Sequence, residues 1–210
     1  MDNNSYLTVA AYGEAEFTER RSRFIGAAIP VCGEKQALDF IAERRSKFWN
    51  ATHNVYAYSL RDGTVQRFSD DSEPQGTAGM PTLDVLQKSG VTDVCVVTTR
   101  YFGGVLLGAG GLVRAYSHAA SIALDAAGIV RMDRVYDCEV RCDYHMYGKL
   151  NSALASLGAI DIAAEFTDGV RMTFSVPLDM YNSLERDVTD LSNGQLHIQI
   201  SDEHFAQIKI

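Results

Sequence analysis

Five glycines crowd into nine residues, Gly103, Gly104, Gly108, Gly110 and Gly111, between two apolar segments of different period. The segment before them, Asp93 to Thr99, reads as a buried strand. The segment after them continues as a helix to Ala127, where Gly128 supplies a C-terminal cap. A strand that feeds a glycine loop opening a helix presents unpaired backbone N–H groups and the positive end of a helix dipole, which together suit an anion. The loop matches neither common phosphate fingerprint. Gly103 and Gly108 have P-loop spacing, but Ala109 and Gly110 stand where Lys and Ser/Thr belong; Gly108-Ala109-Gly110 begins a GxGxxG that Val113 ends. Arg114 falls in the first turn of the helix, where a cation opposes the dipole at a cost of a few tenths to about 1 kcal/mol that a bound anion would reverse. His118 lies one turn further along the same polar face. Two readings stay open here. The glycines and Arg114 form a ligand surface, or the glycines permit close helix-sheet packing and Arg114 reaches a carboxylate.

Periodicity divides the rest of the chain. Tyr6 to Val9 and Phe24 to Val31 read as strands, and Glu34 to Trp49 as a helix with Leu38, Ile41, Ala42 and Phe48 inward. Val55 to Leu60 and Thr64 to Phe68 form a hairpin around Arg61-Asp62-Gly63, and Thr82 to Lys88 a helix opened by Pro81. Beyond Gly128 the pattern changes. A strand at Val135 to Cys142, a helix at about Met146 to Leu157, strands at Ile160 to Phe166 and Val170 to Val176, a helix at about Asp179 to Leu191, and a strand through Leu196, Ile198 and Ile200 give the order β-α-β-β-α-β. That order is a ferredoxin-like split βαβ unit. The fold class is therefore α+β, with domains expected at 1–130 and 135–210.

Charge narrows the function. The chain carries a net charge of −8, which excludes a protein that binds nucleic acid with its whole surface. The charge is uneven, however: Arg20 to Arg67 holds nine basic residues against four acidic ones, whereas Ile129 to the end holds seven against thirteen. A polyanion can still meet the first domain. Arg20, Arg21 and Arg23 are nearly adjacent and repel one another without an anionic neighbour. Arg44, Arg45 and Lys47 with Phe48 and Trp49 read either as a phosphate-plus-stacking patch or as a cationic helix end. His53 opens a strand as a base, a nucleic-acid contact or a structural histidine.

Asp70, Asp71 and Glu73 form an acidic cluster that would hold Mg²⁺ or supply a base, or else pair with Arg100 and Arg114. Ser72 and Thr77 lack a nucleophile elbow, and the zinc patterns are absent. Cys32, Cys95, Cys138 and Cys142 contain no CxxC pair and read as small buried hydrophobes of a reducing compartment. The start of the chain has no basic-then-apolar leader, and no run approaches the roughly 20 apolar residues of a membrane span, so a cytoplasmic location is expected.

These motifs together resemble the YigZ/IMPACT family. The resemblance rests on Arg21-Ser22-Arg23-Phe24, on His53-Asn54 with Tyr56-Ala57-Tyr58, on Asp70 through Pro81, and on Arg100-Tyr101-Phe102-Gly103-Gly104 through Leu112. It implies a first domain like the second domain of the small-subunit ribosomal protein of the S5 type, and a second like the fifth domain of translation elongation factor G. It also implies regulation of translation, through protein partners in the eukaryotic members. Two positions depart from the family pattern: Ser72 replaces the more frequent Gly, and Leu106 stands where Lys is usual. The resulting expectation is a non-enzymatic binding protein that takes RNA or the ribosome, without cofactor. Its anion surface would comprise Arg20, Arg21, Arg23, His53, Arg100, the loop glycines, Arg114 and His118. An enzyme acting on a phosphorylated small molecule and a pure protein-protein adaptor are the alternatives.

Overall fold

The computed structural model describes residues 4–61 and 65–208. In chain order its elements are β1 (Ser5–Val9), β2 (Gly13–Glu19), β3 (Ser22–Pro30), α1 (Glu34–Lys47), β4 (His53–Ser59), β5 (Gln66–Ser69), α2 (Gly79–Lys88), β6 (Val94–Tyr101), α3 (Ala109–Ala127), β7 (Ile129–Cys142), α4 (Tyr144–Ser156), β8 (Ile160–Phe166), β9 (Val170–Pro177), α5 (Leu178–Leu191) and β10 (Gln199–Ile208). The class is α+β. Residues 6–131 make one compact unit, and residues 132–208 with Asn4 and Ser5 the other.

The first unit is built on a sheet of order β2-β3-β6-β4-β5, whose neighbouring strands run antiparallel. The central strand β6 is buried at nearly every position because both its faces are covered, and its first half, Val94 to Val97, is wholly apolar. Val94 and Val96 point into the layer holding Leu83 and Leu86 of α2 and Ala120, Ala123 and Leu124 of α3. Cys95 and Val97 point the other way, to Ala37, Phe40 and Ile41 of α1. The family resemblance implies a sheet backed by two helices; here α2 and α3 share one face and α1 covers the second.

α3 lies unusually close to the sheet. A Cβ at Gly26 would stand 2.3 Å from the Ala119 carbonyl oxygen, and one at Gly13 would stand 2.1 Å from the Ala127 nitrogen. Alanine at 115, 119, 120, 123 and 127 makes the complementary helix surface. β2 escapes the sequence reading for this reason: its inward residues Gly13, Ala15 and Phe17 are mostly small, so its alternation carries little hydrophobic contrast.

Several local expectations need correction. The inward stripe of α1 is Ala37, Phe40, Ile41 and Arg44, while Leu38 is half exposed. Arg44 reaches the interior because Glu14 takes its charge, the Tyr12 hydroxyl accepts from it at 3.2 Å, and its guanidinium lies 4.5 Å over the Phe48 ring. The hairpin forms between β4 and β5, with Tyr56 opposite Ser69 and Ser59 opposite Gln66. Its expected turn at Asp62 and Gly63 lies outside the described residues. α2 begins earlier than Thr82, with Pro81 inside its first turn. Cys32 is exposed, whereas Cys95, Cys138 and Cys142 are buried.

The second unit has the β-α-β-β-α-β order, with β10, β7, β9 and β8 adjacent in that sequence. Leu150 and Leu154 of α4 and Leu184 and Val188 of α5 pack with Cys138, Val140, Met172 and Phe174. Asp143 caps α4 by accepting from the Met146 N–H at 2.7 Å. The last strand begins at Gln199 rather than Leu196, although Ile198 still packs into the core.

Two outcomes follow from this packing. Gly26→Ala forces α3 off the sheet and lowers stability by about 1–3 kcal/mol or more in urea titrations. Burial pushes the Cys138 thiol up to about 12 and raises those of Cys95 and Cys142. Native protein at pH 8 therefore shows one fast-reacting thiol with a disulfide reagent, and four after denaturation.

Candidate anion-binding site

The acidic loop is consumed by the fold. Asp70 accepts the N–H groups of Ala78 and Gly79 at 3.0 and 2.8 Å on one oxygen, and that of Gly76 at 2.9 Å on the other. It thereby anchors the start of α2. Asp71 accepts the Asn54 N–H at 2.6 Å and pairs with Arg45 at 2.8 Å. Asp71 and Ser72 both have left-handed backbones, with φ of 44° and 71°, which explains why glycine suits the second of these positions.

Glu73 is buried, and its Oε1 collects Arg100 Nη1 at 2.5 Å and the Tyr116 hydroxyl at 2.7 Å, with His53 Nε2 at 3.6 Å. The opposite ring nitrogen, Nδ1, is 2.8 Å from the Asp71 carbonyl. A carbonyl only accepts, so that nitrogen carries the proton. Burial, and then the Glu73 charge, push the Tyr116 hydroxyl well above its ordinary pKa, which keeps it a donor. The expected acidic cluster therefore does not form one metal site. Among the described residues, three metal-ligating side chains converge at Asp137, Asp202 and His204 instead.

Arg100 and His53 belong to this interior network, which corrects their place on the expected anion surface. Arg100 is 4% exposed, and its Nη2 donates to Ser22 Oγ at 3.2 Å. Ser22 Oγ also accepts the Gly103 N–H at 3.2 Å, so the network reaches the glycine loop. Arg23 is on the surface but bound to Glu16, with Nη2 at 2.5 Å and Nε at 3.1 Å.

Of the remaining predicted residues, Arg20, Gly111, Arg114 and His118 meet at a cleft of about 340 Å³, whose lining also includes Phe17, Glu19, Leu107 and Ala115. One wall is α3. Gly108 precedes it without a side-chain cap, no acid occupies its first turn, and Arg114 stands exposed just beyond. The opposite wall comes from β2 and its turn into β3. Glu19 pairs with Ser22, leaving Arg20 and Arg21 as a two-residue turn with φ of 43° and 66°. Such turns favour Asn-Gly, and two arginines there cost on the order of 1 kcal/mol each.

The turn is wedged against the glycine loop, since a Cβ at Gly103 would stand 2.0 Å from the Arg21 carbonyl carbon. Gly104 and Gly108 take φ of 80° and 73° that bend the loop, and a Cβ at Gly111 would stand 2.9 Å from that of Leu107. Gly110 puts no side chain between the helix start and Arg114, whose Nη1 lies 3.7 Å from where a Gly110 Cβ would be. His118 is held edge-on to Phe17, with centroids 4.6 Å apart.

Among the described residues, the side chains of Arg21 and Arg114 make no ion pair or hydrogen bond, and Arg20 stands 3.9 Å from Glu19. Gly103 and Gly111 permit close packing, and among the described residues Arg114 reaches no carboxylate. Sequence reasoning missed Ser22, Tyr116, Phe17 and Leu107. Tyr116 is on the inward face of α3 with Leu112 and Ala119, a helical periodicity that could have found it.

A two-domain α+β protein with a cationic cleft where a glycine loop enters a helix is what the structure defines. The Impact N-terminal domain matches residues 20–124, and a domain of unknown function, DUF1949, matches residues 140–195. The IMPACT family member YvyE of Bacillus subtilis is 37% identical over 197 residues, covering 93% of this chain and 91% of that protein. YigZ of Escherichia coli is 30% identical over 187 residues, covering 88% and 92%. Protein IMPACT of Bos taurus is 40% identical over 95 residues, covering 43% of this chain and 30% of the bovine protein. A solved structure titled as a crystal structure of a hypothetical protein aligns with a TM-score of 0.60 at 30% identity, over 96% of this chain and 99% of that one. The chain belongs to the IMPACT family.

Glu73→Gln leaves Arg100 buried without a counter-charge and lowers stability by about 3–5 kcal/mol. A Glu73→Gln, Arg100→Met double variant recovers part of this loss, as a double-mutant cycle in urea measures.

Proposed function

We propose that the N-terminal domain binds RNA phosphates in this cleft and that the protein acts as a non-enzymatic, translation-associated regulator. The observation that carries the reading is Arg114. It is exposed in the second turn of α3, whose first turn carries no acid, is unpaired among the described residues, and shares its cleft with Arg20, His118 and Glu19. A phosphate bound at this helix start is favoured by the dipole and by the Arg114 charge one turn further along. Translation enters through the family resemblance.

A phosphorylated small molecule is the second reading, favoured by the cleft's concavity and its volume of about 340 Å³. Its catalytic version needs Asp70, Asp71 or Glu73 as metal ligands or base, and these carboxylates are engaged by Ala78, Arg45 and Arg100. An adaptor role predicts affinity for neither RNA nor nucleotides. Among the described residues no helix is long and apolar enough to cross a membrane.

RNA affinity measured between 50 and 300 mM salt is expected to fall steeply, by about 0.7 in log–log slope for each single-strand phosphate neutralised. Arg114→Ala reduces the slope by about that amount, and Arg114→Glu weakens all RNA sequences alike. Salt-independent binding, or none to RNA or ribosomes, overturns the reading. A nucleotide-induced thermal shift lost in Arg114→Glu without RNA affinity selects the second reading.

A further inference from the structure

We infer that the cleft continues into a stacking surface for single-stranded RNA, with Trp49 and Phe102 as its platforms. The inference rests on the phosphate reading of the cleft and specifies the form of polyanion that it takes. Trp49 is 82% exposed, beyond the end of α1, where burial would be the ordinary fate of so large an apolar ring. The turn that carries it is fixed to the end of β6. The Tyr101 hydroxyl donates to Asn50 at 2.9 Å, the Thr52 N–H to the Arg100 carbonyl at 2.9 Å, and the Phe102 N–H to Thr52 Oγ1 at 3.0 Å. Phe102 is 44% exposed, and the next residue is Gly103, seated on the Arg21 backbone. Leu106, 80% exposed, precedes Leu107 in the cleft wall. The segments that carry exposed aromatic rings and unpaired arginines are thus joined one to the next, from Trp49 through Phe102 and Arg21 to the Leu107 wall of the cleft.

That alternation matches one class of polymer. A single strand offers an anion and a flat apolar face at every nucleotide, whereas a duplex keeps its base faces stacked inside. The apolar rings alone would suit a protein partner or a lipid surface, but the cations among them and the concave helix start favour phosphates on a chain. Stacking is indifferent to sequence because every base has a π-face. The recognition expected is therefore of strandedness rather than of a sequence.

Trp49 is the only tryptophan in the chain, so indole fluorescence reports this position. A uridine-rich 12-nucleotide RNA is expected to quench it, and the same sequence annealed to its complement is expected to leave it unchanged. Trp49→Ala weakens single-strand affinity by about 10- to 100-fold, the range of one lost base-aromatic stack, with an unaltered salt slope, while Trp49→Phe keeps most of the affinity. Equal quenching by duplex, or unchanged affinity in Trp49→Ala, overturns the inference. If RNA binds with the expected response to Arg114→Ala yet Trp49 stays silent, the stacking surface fails and the cleft reading stands. No binding to either form of RNA overturns both. A Trp49 emission shift on phosphatidylserine vesicles but not on RNA assigns the surface to lipid and also overturns the inference.

Discussion

The buried pair of Glu73 and Arg100 is the contact on which the first domain's functional end depends. Removing both charges from water is expensive, and the arrangement repays that cost only because each charge has further partners. Glu73 takes the Tyr116 hydroxyl from α3, and Arg100 gives its second nitrogen to Ser22 at the start of β3. The acidic loop, β6, α3 and the β2–β3 turn are therefore joined through two side chains. A hydrophobic pair of similar size would fill the space without specifying which loop meets which strand.

The cleft inherits its shape from that junction. Ser22 Oγ holds the Gly103 N–H as well as Arg100, so the glycine loop and the arginine turn are set from the same hydroxyl. Arg20 and Arg21 occupy backbone conformations that Asn and Gly adopt more easily. Strain of this kind persists where the surroundings over-determine it, and Gly103 pressed on the Arg21 backbone is the over-determining contact. The consequence is two long cationic side chains projected from a rigid turn rather than a mobile one. A preorganised cation loses less freedom on meeting a phosphate.

How legible this was in the sequence depended on whether local pattern or tertiary pairing decided each residue. The α+β class, the β-α-β-β-α-β order and the hairpin of β4 with β5 follow from periodicity, which is set by backbone geometry. The helix dipole and the polar face of α3 likewise placed Arg114 and His118 together, as the cleft does. Reasoning failed where an inward residue was not apolar. Arg44 fills a core position of α1 because Glu14, some thirty residues away, neutralises it, and no window on α1 contains that fact. Arg100 and His53 turned inward for the same reason, toward a Glu73 that spacing presented as a metal ligand. β2 was missed because close packing under α3 selects small residues, which weaken the alternation that would reveal a strand.

The net charge of −8 is compatible with the proposed phosphate cleft because affinity is set locally. At physiological ionic strength the Debye length is about 8 Å, so solvent-exposed acids further away would contribute little to the energy of a phosphate between Arg114 and Arg20. Their effect would be on approach: at low salt the net negative charge repels a polyanion that the proposed phosphate cleft would attract. Raising salt screens both, but it relieves the distant repulsion first and weakens the close contacts, with their counterion release, throughout. A polyanion at this cleft would experience the arrangement of charge rather than its sum: Glu73 and Asp71 are engaged by Arg100 and Arg45, Glu19 remains in the cleft wall 3.9 Å from Arg20, and Arg114 is left exposed.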